Sequence, residues 1–171
     1  MQGRVQVYTG DGKGKTTAAL GLALRAVGAG LKVYIGQFMK QGDYSEIKAI
    51  ASLAGTVTAE QFGTGRFVRG CPDDADRAAA RAGLDALRSA LTSGDFDVVI
   101  GDEANVAAAC GLLDAQNLLD LIAQRPEHVE LVLTGRGALP AVLAAADLVT
   151  EMRAIKHYFE SGVPAREGIE H

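Results

Sequence analysis

The stretch VQVYTGDGKGKTTAALGLALRA, residues 5–26, decides how the rest of the chain is interpreted. A short β-branched run leads into a glycine-rich turn, and an Ala- and Leu-rich segment of helical length follows. The turn resembles the phosphate-binding pattern G-x-x-x-x-G-K-[ST], but only three residues separate Gly10 from Gly14, and Thr9 stands in the slot of the first glycine. The stretch therefore predicts a strand, a shortened phosphate loop and a helix.

Composition restricts the alternatives for the whole chain. Its 171 residues are 48% hydrophobic, which suits one domain with a sizeable core. The net charge of -4 gives no electrostatic reason to expect nucleic acid or an anionic membrane as a partner. The sequence has no apolar run of roughly 18 residues and no signal segment at its start, so we expect a cytoplasmic protein. Cys71 and Cys110 have no metal-binding spacing, and we interpret both as ordinary thiols.

Short β-branched runs alternate along the chain with segments of helical length, an order that is typical of βαβ units. The sequence therefore predicts an α/β fold like that of P-loop NTPases, with a mostly parallel sheet of about six strands and helices on both faces. We expect a single domain over residues 1–171 with an irregular tail from about residue 153. The predicted strands lie within residues 4–10, 31–38, 56–63, 96–103, 128–135 and 147–153, and two helices are predicted at 15–29 and 73–93.

Candidate site residues follow the strands, because ligands of open α/β sheets bind at the carboxyl ends of the strands. In the short loop, Lys15 supplies a cation for phosphate, Thr16 supplies a hydroxyl for Mg²⁺, and Lys13 adds a second cation. The alternative is a glycine-rich turn without a ligand. The predicted ATP-binding residues of this segment are Thr9, Gly10, Asp11, Gly12, Lys13, Gly14, Lys15, Thr16 and Thr17.

Other charged residues follow later strands. Asp102 and Glu103 end the run FDVVIGDE, and a carboxylate on a strand neighbouring a phosphate loop commonly holds Mg²⁺ directly or through water. Arg136 stands in a glycine turn, where it could bind phosphate oxygens with its forked guanidinium, and Lys40 follows another strand. Arg136 and Lys40 could equally be solvated surface residues, and acidic residues after a strand are also a common surface feature, although the phosphate loop upstream favours a function for Asp102 and Glu103. The sequence assigns no partner to His157, which we interpret as structural.

Taken in order, these motifs resemble the P-loop corrinoid adenosyltransferases. The resemblance is carried by TGDGKGKTTAALGLALRA, QFMK, DVVIGDEAN, HVELVLTGRGA, ADLVTEMR and KHYFESGVPAREGIEH. It implies an enzyme that transfers the 5′-deoxyadenosyl group of ATP to Co(I) of cobalamin or a related corrinoid and releases triphosphate. It also implies that the short loop holds ATP reversed relative to ordinary P-loop proteins, so that C5′ of the ribose is the electrophile.

The resemblance further implies roles for individual residues. Thr16 and Glu103 would ligate Mg²⁺ or Mn²⁺, and the catalytic residues would be Lys15, Thr16, Glu103 and Arg136. The charge of the departing triphosphate would be stabilised by the metal, Lys13, Lys15, Arg136 and the backbone amides from Gly12 to Thr16. The implied partners are a reduced corrinoid, a reductant protein that delivers Co(I), and a second copy of the chain in a homodimer.

The chain departs from the resemblance after its third strand. Family members often carry a Phe and Trp pair there, near the lower face of the cobalt, whereas this chain has no Trp and reads FGTGRFVRG at residues 62–70. We expect Phe67 to take the place of the pair; the alternative is a surface loop with one aromatic side chain in the core. Two other functions stay open: an ordinary NTP-hydrolysing or phosphoryl-transferring enzyme, and a non-catalytic carrier of ATP or corrinoid.

Overall fold

The computed structural model describes residues 2–53, 55–65 and 72–170 and contains one parallel sheet. Its strands are β1 (Val5–Thr9), β2 (Val33–Phe38), β3 (Val57–Phe62), β4 (Val98–Asp102), β5 (Glu130–Thr134) and β6 (Leu148–Glu151). The α-helices are α1 (Lys15–Gly28), α2 (Ser45–Ala51), α3 (Asp74–Thr92), α4 (Ala104–Ala109), α5 (Ala115–Gln124) and α6 (Pro140–Ala145), and a short 3₁₀ helix covers Tyr158–Ser161.

The sheet has the order β3-β2-β4-β5-β1-β6, and every strand pair in it is parallel. Each of the six predicted runs contains one of these strands, so the prediction of a mostly parallel sheet of about six strands is confirmed. The β-branched residues that identify the runs in the sequence lie mostly in the buried interior, as Val33, Val99 and Val132 illustrate.

Helices cover both faces of the sheet, as predicted. Successive side chains of a strand point to opposite faces. On β5, Val132 packs into a core that contains residues of α1, whereas Leu131 and Leu133 pack into a second core that contains residues of α3, α4 and α5. The two cores therefore lie on opposite sides of the sheet. Because the strands are parallel, their carboxyl ends all lie along the same edge of the sheet.

Helix α3 confirms the segment predicted at residues 73–93. Asp73 caps its start by accepting a hydrogen bond from the backbone amide of Asp76, whose side chain accepts one from the amide of Asp73 in return. Leu84, Leu87 and Leu91 are buried on one face of the helix, as their spacing predicts.

One expectation about neighbouring strands needs correction. The sequence interpretation put the carboxylates after β4 on a strand adjacent to the phosphate loop, but β5 lies between β1 and β4. The loop nevertheless reaches β4, because α1 packs across both β4 and β5 and the Thr16 hydroxyl bonds to Asp102. Within the described residues, no helix is long and apolar enough to cross a membrane.

The segment after β6 lies against the phosphate loop. The amide of Gly12 donates a hydrogen bond of 2.7 Å to the carbonyl of Met152. Further along, the hydroxyl of Tyr158 and the guanidinium of Arg166 both donate to the carboxylate of Glu170, and Arg166 lies over the Tyr158 ring at 5.0 Å. These contacts fold residues 158–170 into a compact tail.

Candidate active site

A cavity of about 880 Å³ opens at the carboxyl ends of the strands. Its walls include residues 12–17 of the loop and the first turn of α1, residues 38–40 at the end of β2, Glu103 after β4, Arg136 after β5, and residues 168–170 of the tail. Ligand pockets usually have volumes of roughly 300–1,000 Å³, so this cavity is large enough for a nucleotide.

Lys15 organises the phosphate loop from within. Its ammonium donates hydrogen bonds to the carbonyls of Gly10 at 2.6 Å and Gly12 at 2.7 Å, and the residue is buried. Burial and the nearby Arg136 lower the pKa of Lys15, while Glu103 and the other nearby carboxylates counteract this shift. The short loop is therefore wrapped around the lysine that the motif predicts to bind phosphate.

Helix α1 presents its positive end to the cavity. It begins after Gly14, whose φ of 122° favours glycine, and no side chain among the described residues caps this end. The first-turn amides of an α-helix have no intrahelical acceptors, and the helix dipole adds a partial positive charge there. Because Thr16 and Thr17 of this turn line the cavity, the end of α1 is suited to bind an anion.

Asp102 is the centre of the polar network beneath the cavity and is only 1% exposed. Its Oδ1 accepts hydrogen bonds from the hydroxyls of Thr16 at 2.8 Å and Thr134 at 2.7 Å. Its Oδ2 accepts hydrogen bonds from the ammonium of Lys40 at 2.9 Å and from the side-chain amide of Gln37 at 3.3 Å. Because the Thr16 hydroxyl donates its hydrogen to Asp102, the lone pairs of its oxygen are available to a cation.

Glu103 differs from Asp102 although it is the next residue. It has a left-handed φ of 61°, and its backbone amide donates to the Thr134 hydroxyl at 3.0 Å. Its carboxylate lines the cavity, and no described residue forms a hydrogen bond or ion pair with it. Burial and the charge of Asp102 raise the pKa of Glu103. A carboxylate in these surroundings favours a nearby cation.

The oxygens of Thr16 and Glu103 fit a hard divalent cation such as Mg²⁺, which prefers hydroxyl, carboxylate and phosphate oxygens. In the described part of the chain, however, no group of three or more His, Cys, Asp or Glu side chains could hold a metal ion. A metal at this position therefore needs further oxygen ligands, of the kind that a triphosphate provides.

Two more predicted cations lie on the cavity wall. Arg136 is exposed in its turn after β5, with its guanidinium available to a ligand. Lys13 donates a hydrogen bond of 2.9 Å to the carbonyl of Ile169 in the tail. Lys13, Lys15, Thr16, Glu103 and Arg136 are thus brought to one cavity.

Three predicted ATP-binding residues do not line that cavity: Thr9, Gly10 and Asp11. The Thr9 hydroxyl accepts a hydrogen bond from the amide of Ala138 at 3.3 Å, which connects the ends of β1 and β5. The Gly10 carbonyl holds Lys15. The direct contribution of these three residues to ATP binding stays a prediction.

Gly10 and Gly12 of the loop stand where a side chain would collide with the segment after β6. A Cβ on Gly10 would lie 2.4 Å from the carbonyl oxygen of Met152, and one on Gly12 would lie 2.7 Å from the carbonyl carbon of Arg153. Both glycines therefore let the segment after β6 pack closely against the phosphate loop. The expectation that the Gly12 amide faces phosphate is corrected, because this amide bonds to Met152 instead.

Several cavity and network residues were missed by the sequence interpretation. Thr134 and Gln37 lie at or near strand ends, so the rule that singled out Arg136 could also have found them. Glu46 on α2 and residues 168–170 of the tail carry no such signal. His157, interpreted as structural, lines the cavity.

The corrinoid prediction falls on Phe67, which lies outside the described residues and so stays a prediction. Its neighbour Phe62 is a packing residue. The Phe62 ring lies 6.2 Å from that of Phe38, and its side chain approaches Gly83 of α3 so closely that a Cβ there would be 2.9 Å away.

Comparison with known proteins agrees with this geometry. Residues 1–171 match the family described as ATP:corrinoid adenosyltransferase BtuR/CobO/CobP. The chain belongs to this family. It is 35% identical over 170 residues to the corrinoid adenosyltransferase of Pseudomonas aeruginosa, an alignment that covers 99% of this chain and 84% of that protein. The corrinoid adenosyltransferase of Escherichia coli and the corrinoid adenosyltransferase CobA of Salmonella typhimurium are each 35% identical over 170 residues, covering 99% of this chain and 86% of each relative.

The resemblance inferred from the motifs is therefore confirmed. Membership in the corrinoid adenosyltransferase family makes the chain one of the enzymes that transfer an alkyl group, with ATP and a corrinoid as substrates. The cavity described above contains the short loop that contributes to the resemblance.

Proposed function

We propose that this corrinoid adenosyltransferase moves the 5′-deoxyadenosyl group of ATP to Co(I) of cobalamin or a related corrinoid and releases intact triphosphate. The electron pair of Co(I) forms the bond to C5′, the C5′–O bond breaks, and the triphosphate leaves with the bonding pair. The observation that carries the proposal is the meeting in one cavity of the short loop, Arg136 and the Glu103 carboxylate, which forms no hydrogen bond or ion pair with a described residue. Co(I) carries no proton, so the site needs no general base.

The chain's own contribution is to place ATP and to stabilise the negative charge of the leaving group. Lys13, Lys15 and Arg136 lie on the cavity wall together with the positive end of α1. Fixed positive groups that face developing negative charge lower the barrier without reorganising during the step. Lys15 is already fixed by two loop carbonyls, which makes it a preorganised cation.

Thr16 and Glu103 would hold Mg²⁺ or Mn²⁺ in this proposal, and Asp102 would orient Thr16 without touching the metal. When bound, the metal ion neutralises charge on the triphosphate oxygens. Both protein ligands line the cavity, and their oxygens are of the type that these cations prefer.

Four further points belong to the same proposal. They are a homodimer, a reductant protein that delivers Co(I), a cytoplasmic location where ATP is supplied, and coverage of the lower corrinoid face by Phe67. The half-exposed Leu148 and Val149 on the edge strand β6 support a homodimer, because paired chains would cover apolar surface there.

Product analysis tests the proposed reaction. Incubation with ATP, Mg²⁺ and chemically reduced cobalamin is expected to give adenosylcobalamin and triphosphate in equal amounts, measured by absorbance and by ³¹P NMR. The variants Lys15→Ala and Thr16→Ala are expected to lose this activity. Lys48→Ala, which removes an exposed lysine paired with Asp43, serves as the control and keeps it.

Two results would contradict the proposal. ADP and orthophosphate formed in proportion to turnover would support an ordinary NTPase. Tight binding of ATP and corrinoid without any adenosylated product would support a non-catalytic carrier.

A further inference from the structure

Lys40 is a cation of the site that the proposed reaction does not use. Its ammonium lies 2.9 Å from Oδ2 of Asp102 and 3.6 Å from Oε1 of Glu46. Its side chain is only 18% exposed, and so is that of Glu46. Lys40 is thus a largely buried counter-ion of Asp102, the residue that bonds to Thr16 and directly precedes Glu103.

The fold builds this placement from the backbone. Met39 has a left-handed φ of 57°, which turns the chain directly after β2, and its amide donates to the carbonyl of Phe62 at 2.8 Å. A Cβ on Gly63 would lie 2.7 Å from the backbone nitrogen of Lys40, so only glycine allows this close approach. A strained residue and an obligatory glycine together fix Lys40, as is common at functional sites.

The charges around Lys40 keep it ionised. Burial alone lowers the pKa of Lys40, but Asp102, Glu46 and Glu103 outweigh burial and raise it. The same carboxylates attract any divalent cation that enters the cavity. The ammonium and the metal ion therefore compete for the same negative charge.

We propose that Lys40 is a resident counter-ion that makes binding of the divalent cation conditional on the nucleotide. This inference rests on the proposed metal ligands Thr16 and Glu103. Without nucleotide, Lys40 neutralises Asp102, and the described residues offer no set of three or more acidic, His or Cys side chains to hold a metal alone. With ATP, phosphate oxygens supply the missing ligands, and their negative charge outweighs the repulsion from Lys40. The cation thus enters the site together with ATP.

Titration with Mn²⁺ alone, in the absence of nucleotide and corrinoid, tests the inference. Free Mn²⁺ is measured by electron paramagnetic resonance. Lys40→Met keeps the apolar stem without the charge, and Lys40→Gln also keeps a hydrogen-bond donor for Asp102. Both variants are expected to bind one Mn²⁺ per chain at least about tenfold more tightly than the unmodified protein. Lys40→Arg retains the charge and is expected to bind Mn²⁺ as weakly as the unmodified protein.

Lys48→Met is the matched control, because it removes the same charge from an exposed pair with Asp43 and should not change Mn²⁺ binding. Unchanged Mn²⁺ affinity in folded Lys40→Met and Lys40→Gln proteins would overturn the inference, and so would an equal gain in Lys48→Met. Failure of both Lys40 variants to fold would make Lys40 a structural counter-ion and also overturn it. The titration contains no substrate, so its result is independent of product analysis. Unchanged Mn²⁺ affinity in the Lys40 variants would overturn this inference even if adenosyl transfer is observed, and tighter Mn²⁺ binding would support it even if adenosyl transfer is not.

Discussion

Glu103 shows how a single residue of the site is held at a cost to the fold. It adopts a left-handed backbone conformation, and no described residue forms a hydrogen bond or ion pair with its carboxylate. Burial and the charge of Asp102 raise its pKa and outweigh the nearby cations Lys40, Lys15 and Arg136. Such residues lower stability and persist where a ligand needs them. Glu103 therefore lowers the stability of the free protein, and a cation bound in the cavity would reduce this loss by pairing with its carboxylate.

Replacing Glu103 with glutamine is expected to stabilise the free protein by about 1 kcal/mol near neutral pH. The pKa of Glu103 is raised in the folded state by burial and by Asp102, so ionisation as the pH rises removes stability from the unmodified protein. The gain in Glu103→Gln should therefore vanish once the pH falls below the ordinary Glu pKa of about 4.3. Urea unfolding at neutral and acidic pH measures both values.

The exposed Glu127 provides the control, since Glu127→Gln should change stability little at either pH. A Glu103→Gln protein that is less stable than the unmodified protein at neutral pH would show that the ionised carboxylate is compensated.

At the scale of elements, the phosphate loop and the segment after β6 form one packed unit. Gly12 is buried, its amide bonds to Met152, and the space where a side chain would stand is filled by the backbone of Arg153. Gly21 in the middle of α1 is the opposite case, because no described atom outside its own stretch of helix lies within 4 Å of where a Cβ would stand.

The two glycines make a matched pair of substitutions. Gly12→Ala is expected to destabilise the protein by about 1–3 kcal/mol, because the added methyl group must displace the backbone after β6. Gly21→Ala is expected to stabilise it by roughly 0.5–1 kcal/mol, since alanine favours the helix and meets open space. Chemical unfolding measures both, and equal stability of the two variants would contradict the packing argument.

These elements also show what the sequence can predict. The six strands were predicted because β-branched runs are local signals, and α3 because its caps and leucine spacing are local too. The ion pair between Lys40 and Asp102 was not predicted, because it depends on β2 lying next to β4, which no local pattern encodes. The packing of Gly12 against Arg153 was missed for the same reason: the partners are distant in sequence.

At the scale of the whole molecule, the core and the cavity depend on different parts of the chain. The two cores consist mostly of residues from the sheet and from helices α1 and α3 to α6. Residues 154–170 are mostly exposed and fold on themselves, yet His157 and residues 168–170 line the cavity. The tail thus contributes to the site more than to the fold.

A chain ended after Arg153 is therefore expected to stay folded, with a loss of about 1 kcal/mol or less, and to bind ATP at least about tenfold more weakly. Thermal unfolding and calorimetric titration with ATP measure the two effects. Phe159→Ser is the control, because Phe159 is 76% exposed and does not line the cavity, so it should leave ATP affinity unchanged. A shortened chain with full ATP affinity would show that the tail does not contact the nucleotide.

The pairing of β1 has a consequence for synthesis of the protein. β1 leaves the ribosome before the other strands of this sheet, but its partners are β5 and β6, which are made after the other strands of the sheet. The phosphate loop that follows β1 also needs residues that are made later. Gly12 donates a hydrogen bond to the carbonyl of Met152, and Lys13 donates one to the carbonyl of Ile169. Because chains are made from the amino terminus, the loop can reach its final packing only after β6 and the tail have been made. An interrupted translation product would therefore carry the phosphate motif without being able to sequester ATP.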